Sequence, residues 1–326
     1  MSERPIHLLI TAVGSELALS VIKAARLVRF PLTLFGCDIH AQVVGRYWCN
    51  GFRTVPPARE EDRYIAAVRN LVREFHIDAL VPTADAEFEI LARHRDGFRS
   101  DPGCRILVNP LDEIRRFTDK WATHQWFQKK NIPSPATHPA ETEADIQEAV
   151  SALGFPMMLK PRTGGGSRHI WKLRSMDDLR KYLPSVPRPV LQEYVFPDDE
   201  EYTAGTYRSR SGEIYAIVLK RALKFGMTNS ARSLAHRPEL EAFCAETIRK
   251  TNLEGSNNIQ FRIDSKGPRV MEINPRFSGT TGIRANCGFN DLEMWLTEAL
   301  DLGTIRPPTI RERLVMRYME ELYVDI

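Results

Sequence analysis

The sequence predicts two architectures in series, a wound α/β sheet followed by a strand-rich α+β region. Two observations carry that reading. Up to residue 109, short apolar strands alternate with helical stretches, the pattern of a parallel sheet. From Met157 onward, short β runs separated by turns dominate, with helices interspersed.

The first strand is Ile6-His7-Leu8-Leu9-Ile10-Thr11, followed by the turn Ala12-Val13-Gly14-Ser15 and a helix to about Arg29. Residues 32–38 form the second strand. A helix over 62–75 leads to the third strand, Ala79-Leu80-Val81-Pro82, then a helix over 85–93, and Arg105-Ile106-Leu107-Val108 closes the sheet. The first βα turn holds one glycine, Gly14, and lacks the GxGxxG fingerprint, so a plain Rossmann-like scaffold is expected rather than a dinucleotide site. Asp85, Glu87 and Glu89 follow the third strand at the sheet edge where α/β ligands bind; solvated acids at a helix start give the same pattern. Asn109-Pro110 marks a boundary. A helix over 112–130 then stops at Asn131-Ile132-Pro133-Ser134-Pro135, and another covers 145–153.

Two later segments bear chemistry. In Lys160-Pro161-Arg162-Thr163-Gly164-Gly165-Gly166-Ser167, a strand delivers a lysine and then opens into three glycines. Such a run serves as a flexible connection, or as a nest of N–H groups for phosphate oxygens with Lys160 adding charge. In Glu272-Ile273-Asn274-Pro275-Arg276, alternate residues of one strand share a face, so Glu272, Asn274 and Arg276 point together. Two oxygen ligands beside a cation suit magnesium on a polyphosphate, although a solvated strand face also reads this way. Strand 257–263, the turn Asp264-Ser265-Lys266-Gly267 and the Glu272 strand make a hairpin that places Gln260 near Glu272 and Asn274. Lys220, Arg221 and Lys224 precede a second expected mobile loop, residues 225–230.

Composition excludes several classes. The 326 residues are 43% hydrophobic and 27% charged, with a formal charge of +3 and no basic block, which argues against nucleic acid. Five cysteines without a CxxC pair point to a reduced chain rather than a disulfide framework or zinc site. No long apolar run suggests a signal or membrane span, so a cytoplasmic location is expected.

In order, the Asp119-Lys120 helix, the Lys160 glycine loop, Gln192-Glu193-Tyr194, Asn258-Ile259-Gln260-Phe261 and Glu272 to Gly279 resemble an ATP-grasp enzyme of the carbamoyl-phosphate synthase large-subunit-like type, over roughly residues 5 to 300. The resemblance implies a pre-ATP-grasp domain (1–109), a small ATP-grasp subdomain (110–190) and a large one (191–326). It implies nucleotide contacts from Lys120, Lys160 and Gly164, Gly165, Gly166 and Ser167. Glu193, Tyr194 and Val195 would meet adenine, and Glu201, with Glu200 as its neighbour and rival, the ribose. Glu272, Asn274 and Gln260 would hold magnesium, for which manganese can substitute. Arg276 would steady the transferring phosphoryl group.

The implied reaction is ATP-dependent ligation of a small carboxylate to an amine or ammonia through an acyl phosphate, releasing ADP. A carbamoyl-phosphate synthase-like phosphorylation of bicarbonate or carbamate, and a non-catalytic ATP sensor, are the alternatives. From the residues themselves, Arg284 is a candidate for pairing with a substrate carboxylate, a surface salt bridge being the other reading. The sequence is compatible with a homodimer, although no residue argues for one. The segment 311–326 reads as a strand or an interface element.

Overall fold

The computed structural model describes residues 4–164, 169–235 and 237–325. Its N-terminal body runs β1 (Ile6–Ile10), α1 (Glu16–Ala25), β2 (Leu32–Asp38), β3 (Gly51–Thr54), α2 (Glu61–Glu74), β4 (Ala79–Val81), α3 (Asp85–Ser100) and β5 (Arg105–Ile106). These five strands make a parallel sheet in the order β3-β2-β1-β4-β5. Leu8, Leu9 and Ile10 of β1 are fully buried, because helices cover both faces of the sheet. The sequence reading missed β3. Gly51-Phe52-Arg53-Thr54 is a short edge strand with two exposed residues, and it carries no continuous apolar run.

Strand order reverses between β1 and β4, and this opens a crevice beyond their C-terminal ends, the usual ligand position in such sheets. The neighbouring groove, where a dinucleotide would lie, is filled. The Gly14 N–H donates to the Asp38 carboxylate at 2.9 Å, and Val43 packs so tightly that a Cβ on Gly14 would sit 2.7 Å from its methyl carbon. A short 3-10 helix, Val44–Trp48, lies over the Val13 carbonyl at Gly45. The expectation of no dinucleotide site agrees with this packing.

Next come α4 (Leu111–Thr118), α5 (Lys120–Lys129), β6 (Thr137–Pro139), α6 (Glu143–Leu153), β7 (Met157–Pro161), β8 (Trp171–Leu173), α7 (Met176–Tyr182) and β9 (Pro189–Glu193). The single helix expected over 112–130 breaks at Asp119. Its backbone is extended, and its carboxylate caps α5 by accepting from the N–H groups of Trp121 (3.0 Å) and Ala122 (3.1 Å). Strands β6-β9-β7-β8 form an antiparallel sheet whose core includes Met157, Leu159, Leu179 and Leu191. Phe117 and Phe127 of α4 and α5 share a core with Tyr202, Val218 and Phe261 of the larger sheet, and β9 keeps the small sheet going to Glu193.

The remaining chain forms β10 (Glu201–Arg208), β11 (Ile214–Lys224), β12 (Met227–Ser233), α8 (Pro238–Arg249), β13 (Gly255–Asp264), β14 (Gly267–Asn274), α9 (Thr281–Asn286), α10 (Asp291–Ala299) and β15 (Leu314–Met316). Its sheet is antiparallel, in the order β14-β13-β10-β11-β12-β15. The second mobile loop expected at 225–230 is instead a hairpin. Phe225 and Gly226 both take positive φ (53° and 76°), as a two-residue mirror-image turn between β11 and β12 requires. The C-terminal segment resolves as an edge strand, β15, with Val315 opposite Ala231. The large sheet is tied to the N-terminal body at Ser20 of α1. Its hydroxyl donates to the Gly279 carbonyl at 2.9 Å and accepts from the Gly282 N–H at 2.8 Å.

Candidate active site

Two lysines approach the site, Lys160 from β7 of the small sheet and Lys120 from α5. On β7, Lys160 donates to the Gln192 carboxamide oxygen at 2.6 Å, while the Gln192 nitrogen donates to Thr137 at 3.0 Å. The Thr137 contact orients the amide so that its oxygen meets the ammonium. Lys120, at the start of α5, donates to the Gly164 carbonyl at 3.0 Å. Asp119 joins these two elements, since it accepts from Arg162 at 2.7 Å while the Lys120 N–H donates to the Arg162 carbonyl at 2.8 Å. Burial raises the Asp119 carboxyl, but the Arg162 and capping hydrogen bonds outweigh that and hold it below the ordinary carboxylate value. Lys120 thus lies beside Gly164 and within electrostatic reach of Lys160. Gly165, Gly166 and Ser167 lie outside the described residues.

Burial lowers Lys160 to about 8, and the facing Glu272 carboxylate opposes that shift. If Lys160 grips a polyphosphate, affinity for an ATP analogue is expected to fall as pH rises through 8. Above that value the free protein must take up a proton before binding, which weakens affinity by up to about tenfold per pH unit. Titrating Kd between pH 7 and 9.5 checks this, and Lys160→Arg should flatten the profile because guanidinium does not titrate there.

The large sheet supplies oxygen donors. Gln260 on β13 stands opposite Glu272 on β14, and Asn258 opposite Asn274, with a bulge between Gln260 and Phe261. The bulge lets buried Val270 and Ile273 face the core while Glu272 and Asn274 stay half-exposed. Among the described residues, no side chain hydrogen-bonds to Glu272 or Asn274, and the Lys160 ammonium is the charge that faces Glu272. The acids around them are engaged. Glu193 is ion-paired with Arg269, whose hydrogen bonds lower it to about 2. Glu200 is held by Lys220 and Tyr202.

Two of the expected site residues contact arginines here. Gln260 accepts from Arg221 at 2.8 Å. Glu201, 8% exposed, accepts from Arg221 (2.8 Å) and Arg262 (2.6 Å), so it holds two arginines in place. At the expected hinge, the Val195 carbonyl accepts from Arg262 at 2.9 Å, and the Lys172 ammonium lies 3.6 Å from the Tyr194 ring centre.

A cleft of about 540 Å³ connects this site with the β1/β4 crevice. Ser15, Thr83 and Asp85 line it on one side, and Arg221, Asn274 and Arg276 on the other. Arg276 bridges to Asp85 at 3.1 Å. Sequence reasoning missed Gln192 and Arg317. Arg317, just past β15, pairs with Glu16 and donates to the Gly279 carbonyl, so the C-terminal strand reaches the cleft wall. No spacing signal could have found it, because the contact spans 301 residues.

Arg284 departs most from expectation. It is fully buried and pairs with Asp291 at 2.6 Å, beneath Gly205, whose missing side chain makes room for it. It does not reach the cleft, so it is not placed to meet a substrate. Cys287 is likewise fully buried, as expected of an inert thiol.

Comparison with known proteins fixes the class of fold. Residues 186–322 match the family model described as "ATP-grasp in the biosynthetic pathway with Ter operon". N5-carboxyaminoimidazole synthetase from Staphylococcus aureus, complexed with ADP, superposes with a TM-score of 0.77 at 14% identity, covering 98% of this chain and 84% of that one. Biotin carboxylase from Campylobacter jejuni, in a β,γ-ATP complex, gives 0.74 at 14% identity over 93% and 73%. The biotin carboxylase domain of Hydrogenobacter thermophilus 2-oxoglutarate carboxylase gives 0.72 at 14% over 91% and 70%. The chain thus has the ATP-grasp fold preceded by a parallel-sheet domain. No helix among the described residues is long and apolar enough to cross a membrane.

Proposed function

We propose that this chain is an ATP-dependent, ADP-forming ligase that activates a small carboxylate as an acyl phosphate and joins it to an amine or ammonia. The observation that carries this reading is a pair of oxygen donors on β14, Glu272 and Asn274, without a side-chain hydrogen-bond partner among the described residues, with the Lys160 ammonium facing Glu272. Every neighbouring acid is neutralised by a cation, whereas this pair is left open. One carboxylate and one carboxamide fit magnesium, which takes few protein oxygens and completes its shell with phosphate oxygens and water. Held there, the metal would neutralise charge on the ATP phosphates.

In this reading Lys120 and Lys160 hold the phosphates, and Arg276 offsets charge on the phosphoryl group in flight. A carboxylate oxygen attacks the γ-phosphorus, a P–O bond forms, and the bond to ADP breaks. The amine nitrogen then attacks the acyl carbon, the C–N bond forms, phosphate leaves and a proton is released. The cleft beside Ser15, Thr83 and Asp85 has room for acid and amine, and its closure would keep water from the acyl phosphate.

Bicarbonate as the carboxylate, in the carbamoyl-phosphate synthase-like manner, is the second reading; the Hydrogenobacter structure holds MgADP with bicarbonate. ADP release in magnesium and ATP, measured against pools of amino acids, other carboxylic acids and bicarbonate, tests both. A requirement for carboxylate and amine together supports the ligase. Release with bicarbonate alone moves the assignment to the second reading. Tight ATP binding with no turnover in any pool points to a sensor.

A further inference from the structure

A second cavity, about 610 Å³, opens where α3 and β5 meet the far ends of β10 and β13. It is separate from the cleft: β10 contributes Thr203 to the cleft and Arg208 to this cavity, about 17 Å apart at the rise of a strand. Arg95, Arg99, Arg105, Arg208 and Arg210 line it, against the acids Asp96, Glu254 and Glu298.

The arginines are incompletely matched. Arg210 pairs with Asp301 at 2.9 Å, and Arg95 lies 3.5 Å from an exposed Glu254. The Glu298 carboxylate is occupied by the Tyr207 hydroxyl (2.6 Å) and the Arg210 N–H (3.0 Å). Arg99, Arg105 and Arg208 have no carboxylate partner among the described residues. Arg105 and Arg208 are half-buried, and each is oriented by a single backbone carbonyl, Ala299 at 3.2 Å and Thr251 at 2.7 Å. A guanidinium has five N–H donors, so most remain free. Partly desolvated cations that no carboxylate contacts favour an anion, and arginine forks match phosphate geometry. Trp295 adds an aromatic wall, and the cavity volume lies in the range of small-molecule sites.

We infer that this cavity binds a phosphorylated small molecule at a site independent of the ATP-grasp cleft. Calorimetric titration of the full chain with inorganic pyrophosphate, in EDTA to remove divalent metal, tests this. One binding event is expected that Lys160→Gln leaves in place, while Arg105→Gln and Arg208→Gln each weaken it about ten- to a hundredfold, as the loss of a charge-assisted hydrogen bond implies. Arg99→Gln, at an exposed side chain without partners, should fold normally and still weaken binding severalfold. Binding lost in Lys160→Gln but kept in the arginine variants would place pyrophosphate in the cleft and overturn the inference. Absence of any binding at millimolar pyrophosphate would overturn it too.

Discussion

Glu272→Ala is expected to reduce ADP release by a factor on the order of 10³ while leaving the melting temperature unchanged or slightly raised. The rate effect follows from the proposed role. Removing one group that offsets transition-state charge typically lowers turnover by about 10²–10³, and a carboxylate holding a metal belongs at the upper end. The stability effect follows from what Glu272 lacks. Among the described residues no side chain hydrogen-bonds to it, and the Lys160 ammonium that it faces keeps its hydrogen bond to Gln192, so its loss orphans no donor. Glu201→Ala should behave in the opposite sense. It would leave Arg221 and Arg262 without their shared carboxylate in a buried setting, and the protein should melt earlier. Measuring both variants by thermal melting and by single-turnover ADP formation separates the two acids. Full activity in Glu272→Ala would end the metal-site assignment. Stability in Glu201→Ala equal to the parent's would end the view that it serves the arginines.

Much of this architecture was legible because it rests on local pattern. The alternation of buried strands and amphipathic helices located four of the five parallel strands, and the turn Asp264-Ser265-Lys266-Gly267 set the hairpin register that puts Gln260 opposite Glu272. Strand periodicity put Glu272, Asn274 and Arg276 on one face, and the glycine run after Lys160 singled that lysine out. What the sequence did not show depended on contacts distant in sequence. Arg221, on another strand, donates to the Gln260 oxygen. Arg221 and Arg262 both close on Glu201. The Phe225-Gly226 turn looked mobile because glycine near lysines signals a loop, whereas the paired flanks Lys224 and Met227 make it a hairpin end. Edge strand β15 was ambiguous because its alternation does not say which strand it will join.

Arg284→Met should destabilise the protein by about 3–5 kcal/mol, the size expected when one partner of a buried ion pair is removed and the other is left charged in the core. Arg284 and Asp291 are both fully buried, 2.6 Å apart. Desolvation pushes Arg284 below and Asp291 above their ordinary values, and each charge pulls the other back toward its ionised form. Asp291 also accepts from the Ser256 hydroxyl at 2.5 Å, which ties α10 to β13. Without Arg284 the carboxyl would stay buried without its counter-charge. The pair is not fully satisfied even when intact, because Nε and Nη1 of Arg284 and Oδ1 of Asp291 lack hydrogen-bond partners. Replacing both residues with apolar ones, Arg284→Met with Asp291→Leu, should therefore recover most of the loss and could match the parent, as apolar substitutes for buried ion pairs often do. Urea unfolding midpoints of the two single variants and the double variant give the coupling directly. The same series decides the role of Arg284. If the single variant keeps its midpoint but loses turnover, the arginine acts on substrate; if the double variant folds and turns over, the charge serves the fold, where it braces Gly205 and α10 behind the site.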